Sequence, residues 1–167
     1  MANPDTPNGF SPHGTIERLQ SYEVDASATV IYFNDVVMME NDGNVAAATA
    51  GNEDLMGSAA DYSAGSTAAR IGVYDHPDQN FSAQDNAGGT PAQSYIGNDM
   101  DHEANAPGTT GLLRSGHELD ASTVAATQGG FRLMRLVRNP DLSTADNARW
   151  VCKINNAEHH LLTAAGI

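Results

Sequence analysis

The chain has 167 residues, 8 of them Lys or Arg and 21 Asp or Glu, giving a formal net charge of −13. One domain's length with that charge excludes a chain built to wrap nucleic acid, whose footprint is positive. A single cysteine, Cys152, excludes an intrachain disulfide framework and a cysteine-rich zinc site.

Pro4, Pro7, Asn8-Gly9, Pro12 and Gly14 fill the first 15 residues. Proline fixes φ, removes a donor and pushes the preceding residue to extended geometry, so residues 1–15 are expected to form an extended arm before a single β-rich domain at 16–167. Phe10 is the only large apolar side chain of that arm and its expected anchor. Thr29–Phe33 is continuously apolar after Thr29, as a strand buried on both faces would be. Strands are expected at Asp35–Met39 and Val45–Thr49, around Asn41-Asp42-Gly43-Asn44, since Asp-Gly favours a type I′ hairpin turn. Arg70–Tyr74 reads as a strand stopped by Asp75-His76-Pro77-Asp78, and Asn86–Gly89 as a turn after Phe81.

Residues 97–111 (GNDMDHEANAPGTTG) read as a long polar loop. Short helices are allowed at Thr123–Thr127 and Ala157–Ala165, although no segment carries a sustained 3.6-residue apolar stripe. Phe131–Arg138 reads as a strand whose adjacent pairs Leu133-Met134 and Leu136-Val137 call for a central position or a bulge. Arg149–Asn155 alternates, with Trp150, Cys152 and Ile154 on one side; Cys152 there reads as a small buried apolar group. Short strands with frequent turns predict an all-β fold, a compact antiparallel β-barrel or β-sandwich, jelly-roll-like. The core is thin: Leu, Ile, Val and Phe make up 29 of 167 residues, below the ~20% that marks the compositional border with disorder. Burying alanine methyls contributes less than burying leucines, so such a fold gains from a partner surface.

The charge is uneven. Residues 1–107 hold 16 acids and 2 bases, and residues 108–167 hold 5 acids and 6 bases. Arg132, Arg135, Arg138, Arg149 and Lys153 fall within 22 positions. Solvated strand faces would account for them, and so would a docking face complementary to an acidic partner.

Chemistry-bearing motifs are sparse. His159-His160 diverge on a strand or a helix, and His117-Glu118 lacks the second histidine of a zinc-protease helix. His76 and His102 have acidic neighbours but no serine in a nucleophile-elbow setting. The six histidines are therefore expected in turns and on the surface. Asp99, Asp101 and Glu103 have calcium-loop spacing without the glycine and terminal glutamate of an EF-hand. No phosphate-cradling glycine motif occurs. No apolar run reaches the ~18–20 residues of a membrane span, and the start has no signal-peptide pattern. Neither enzymatic activity nor a cofactor or metal is expected.

Four stretches carry a resemblance: ANPDTPNGF, NDVVMMENDGNVAAAT, ARIGVYDHPDQNF and GHELDASTVAATQGGFRLMRLVRNPDLSTADNARWVCKINNAEHHL. In order, they resemble the head decoration (capsid cement) proteins of tailed bacteriophages. The resemblance implies a structural virion protein made in the host cytoplasm. It would sit as a homotrimer on the outer surface of an icosahedral head, over junctions between major capsid proteins, with no nucleic-acid or membrane partner. The residues then expected to bind partners are Pro4, Pro7 and Phe10 of the arm, and Arg132, Arg135 and Arg138, facing the shell or sibling subunits. The alternative is a β-sandwich surface module recognising a glycan or host surface, for which Tyr62, Tyr74 and Tyr95 are the available aromatics.

Overall fold

A computed structural model of the chain describes residues 3–28, 30–51, 54–65, 69–86, 92–107, 113–125, 129–137 and 146–162. The described elements are strands, apart from one 3-10 turn at Gln93–Tyr95. In chain order they are β1 Ser11–His13, β2 Gln20–Glu23, β3 Val36–Met39, β4 Val45–Ala47, β5 Leu55–Ala59, β6 Arg70–Tyr74, β7 Asn80–Gln84, β8 Asp99–Asn105, β9 Gly116–Ala125, β10 Phe131–Leu136 and β11 Arg149–Ile154. They form two antiparallel sheets, with strand orders β1-β7-β11-β10-β8-β9 and β2-β6-β5-β3-β4. The all-β expectation holds as a sandwich rather than a closed barrel. Lone parallel bridges, Asp85 to Leu119 and Val24 to Val45, bring the end of β7 against β9 and the end of β2 against β4.

The thin apolar complement is divided between two buried clusters. The larger joins Phe10, Phe81, Phe131, Leu133, Trp150, Cys152 and Ile154 of the six-stranded side to Val36 and Leu55 of the other sheet. The smaller is made by Val24, Ile31 and residues of the five-stranded sheet, Val37, Val45, Met56, Ala59, Ile71 and Val73. Successive residues of a strand point to opposite faces, so Val36-Val37 and Leu55-Met56 each supply one side chain to each cluster. This is why β3 and β5 lack an apolar/polar alternation.

The β3–β4 hairpin forms where expected, with a different turn. Gly43 alone of the turn residues has a positive φ, 84°. The Gly43 N–H donates to Glu40 O at 3.0 Å and the Glu40 N–H to Asn44 O at 2.8 Å. That is a three-residue loop closed by a left-handed glycine.

Four other expectations are corrected. Residues 30–33 do not form a strand: Ile31 and Phe33 each make a single bridge, to Ser63 and Arg114. The chain turns there because the Asp35 carboxylate accepts the Tyr32 N–H at 2.7 Å and Asn34 takes a φ of 68°. Residues 99–105, expected in a loop, form β8, paired with β9 along most of its length and with β10 at its start. Thr123–Ala125 continue β9 rather than starting a helix, and the rest of Thr123–Thr127 lies outside the described residues. Of Ala157–Ala165, the described part is a series of turns, with His159 bridged to Leu55. The expected turn at Asn86–Gly89 lies outside the described residues beyond Asn86.

Candidate docking face

Strand β10 turns Phe131, Leu133 and Leu136 inward, and its register against β11 shifts between Leu133 and Arg135. This is the bulge that the adjacent apolar pairs called for. One extra residue there leaves both Met134, 44% exposed, and Arg135 outside. In β11, Trp150, Cys152 and Ile154 are buried in the main cluster as the alternation required, which leaves Arg149 and Lys153 on the outer side. Directly paired residues share a sheet face. Arg132 pairs with Lys153 and Arg135 with Val151; Val151 pairs with Ser82 and Arg149 with Gln84. Ser82 in turn pairs with Ser11, and Asn80 with His13. Arg132, Arg135, Arg149, Lys153 and His13 therefore line one outward face, spanning β10, β11, β7 and β1.

These cations are not equivalent. Arg132 grips the fully buried carboxylate of Asp99 through Nε, with Nη2 at 3.3 Å. Asn155 donates to the same carboxylate at 2.9 Å. Hydrogen bonding to Asp99 raises the Arg132 pKa against the cost of burial. Arg132, still 39% exposed, is thus the counter-ion of a buried acid within its own chain. Lys153 lies 3.4 Å from Asp78, whose side chain is 75% exposed, an ion pair that contributes little in water. Arg135 and Arg149 make no ion pair with a described residue. Arg135 Nη2 sits 2.7 Å from His13 Nε2; arginine has only donors, so the imidazole accepts. His13 is the member of this face that sequence reasoning missed. Arg138 lies outside the described residues.

The N-terminal segment borders the same face. Pro4 and Asp5 are exposed and Pro7 is half-buried. The Thr6 N–H donates to Gln84 Oε1 at 3.4 Å, and Gln84 Nε2 donates to Asp5 and to Glu118, each at 3.4 Å. Phe10 is an anchor, but within its own chain. It is fully buried, stacked on Phe131 at 4.3 Å and edge-on to His102 at 6.5 Å, and its N–H donates to Asn34 O at 2.9 Å. A ring in that place cannot touch a neighbouring molecule, so the expected partner contact of Phe10 is corrected to an internal one.

Three histidines expected at the surface are buried: His102, His117 and His159. Burial pushes each of them down to about 4, so they pack as neutral rings, His102 against His117 at 5.8 Å. His117 Nε2 lies 3.6 Å from the Asp35 carboxylate, itself pushed up to about 6 by burial. Ser115 completes a serine, histidine and aspartate neighbourhood whose bonding differs from a nucleophilic triad. The serine hydroxyl accepts the His117 backbone N–H at 2.9 Å, and His117 Nδ1 accepts from the Val36 N–H at 3.2 Å. Gly9 packs directly against the group: a Cβ there would come within 2.4 Å of Ser115 Cβ.

Asp99, Asp101 and Glu103 alternate along β8 and are separately engaged by Arg132, by the Gly130 N–H at 3.0 Å and by Asn86 at 2.7 Å. Among the described residues no group of three His, Cys, Asp or Glu could hold a metal ion. No described helix is long and apolar enough to cross a membrane. Nor are the three tyrosines gathered: Tyr62 packs on Tyr32, Tyr95 stacks on Trp150, and Tyr74 lies against the main cluster. No family model and no curated protein matches the chain.

Proposed function

We propose that the chain is a non-enzymatic structural subunit that decorates the outer surface of an icosahedral phage head. In this reading it assembles as a homotrimer over junctions of the major capsid protein, with no nucleic-acid or membrane partner. The observation that carries the reading is the gathering of Arg135, Arg149 and Lys153 on one outward sheet face of a chain of net charge −13. Such a face is suited to docking on an acidic surface of the shell or of a sibling subunit, and the rest of the acidic body keeps particles apart. The resemblance of the four sequence stretches to head decoration proteins supports the same reading. The mechanism is reinforcement: a subunit bridging several capsid proteins must be removed before they separate, and many modest contacts act together through effective concentration. Sedimentation of the purified protein with heads that lack their decoration tests this. Binding that saturates in multiples of three and raises the temperature at which heads rupture is expected. Absence of binding at both low and physiological ionic strength would sink the proposal.

A further inference from the structure

We propose that the outward face of the six-stranded sheet seats the acidic β7–β9 seam of a second copy of this chain, with Asp5 beside it, joining copies head to tail. The inference rests on the trimer reading above and names the surfaces that would build it.

Charge is its first support. Residues 1–107 carry 16 acids against two bases, and both bases are already engaged within the chain, Arg18 by Asp75 and Arg70 by Glu23. Of the described cations without a carboxylate partner, Arg114, Arg135 and Arg149, the last two are on the sheet face.

The second support is how the acids near the β7–β9 seam are held. Asp5, Glu103, Glu118 and Asp120 accept hydrogen bonds from the amides of Gln84, Asn86 and Asn105. None of the four makes an ion pair with a described residue. Glu118 is pushed up to about 7, first by burial and further by Asp5, Glu103 and Asp85 nearby, as expected where negative charge is not neutralised from within.

The third is presentation. The Phe10 anchor and the Asn34 to Asn8 hydrogen bond at 3.1 Å hold the N-terminal segment in place, so exposed Asp5 stands at a fixed point beside the face. Arg135 engages His13 through Nη2, which leaves its other N–H groups to fork a carboxylate from outside. Two different surfaces meeting in this way make a heterologous contact, which closes a trimeric ring when successive copies are related by a third of a turn.

Light scattering of the full chain tests the inference. At about 50 mM salt the wild type should be a trimer, and at about 500 mM it should dissociate, since exposed charges are screened over a few ångströms there. Arg135→Glu and Asp5→Arg should each raise the dissociation constant about tenfold or more, because like charges are then juxtaposed. Combined in one chain, the two reversals should restore the trimer. If either reversal disturbs the near-ultraviolet signal of Trp150, the neutral changes Arg135→Gln and Asp5→Asn carry the same test. A trimer indifferent to salt and to both reversals overturns the inference while leaving the decoration reading intact. A double variant that stays dissociated overturns the pairing. A wild-type monomer that still binds heads overturns it too and gives the face to the capsid protein, whereas a monomer that binds no heads removes both proposals.

Discussion

Gly9 and Phe10 determine where the N-terminal segment lies. Gly9 has a φ of 62°, and a Cβ there would come within 2.2 Å of the Asn34 carbonyl oxygen. Gly9→Ala combines backbone strain with a clash, so it should destabilise the fold by about 1–3 kcal/mol, read from the urea midpoint. Phe10→Ala should cost about 3–5 kcal/mol, as for other buried aromatics; an unchanged midpoint would mean that the segment is only tethered. The buried ionisable groups act in opposite directions. Burial raises Asp35 and Asp85 to about 6 and Glu118 to about 7. Each favours the folded state below its unfolded value, and that advantage is lost as pH rises through the raised one. Burial lowers His102, His117 and His159 from 6.5 to about 4. Each favours the folded state above its unfolded value, and that advantage is lost as pH falls towards the lowered one. The two sets share one window, so wild-type stability should change little between about pH 4 and pH 7. His102→Leu removes one opposing group, so this variant should become more stable relative to its own neutral value on acidification. Denaturant midpoints at the two pH values check this, and parallel profiles for variant and wild type would refute it.

At the scale of the element, β10 and β11 respond differently to loss of one residue. Met134 is the extra residue of a bulge, and without it Leu133, Arg135 and Leu136 would alternate correctly. Deleting Met134 should therefore leave a folded protein, whereas deleting Cys152 turns the following Ile154 from the core to solvent. Soluble yield and near-ultraviolet circular dichroism separate the two; equal tolerance of both deletions would contradict this register. The bulge was legible because two apolar pairs broke the alternation, and β11 because Trp150, Cys152 and Ile154 kept it. Strand β8 was not. Its sequence, DMDHEAN, has low strand propensity and presents only Met100 as a buried large aliphatic residue. It is a strand because β9 and β10 flank it, and His102 serves as a core ring by remaining neutral. The docking face was half legible. Arg135, Arg149 and Lys153 cluster in sequence, but His13 joins them through a strand order that no local pattern encodes. The internal pairing of Arg132 likewise depends on Asp99, 33 positions away.

Across the whole molecule, a modest set of apolar residues closes two clusters because β3 and β5 are used on both faces. A body of net charge −13 also repels itself, which opposes compactness. Added salt should therefore raise the melting temperature of the monomeric Arg135→Glu variant while weakening association of the wild type. Thermal scans and light scattering across one salt series would show these opposite slopes; a shared sign would mean that self-repulsion does not limit stability. Cys152 is fully buried in the main cluster between Trp150 and Ile154, and burial pushes its thiol well above the ordinary range. A thiolate is what alkylating reagents attack, so this sulfur stays silent until the sheet parts around it. With a single cysteine in the chain, the rate of its labelling is an internal clock for that opening. Run on free protein and on decorated heads, the clock would report how far the particle slows the breathing of the subunit it carries.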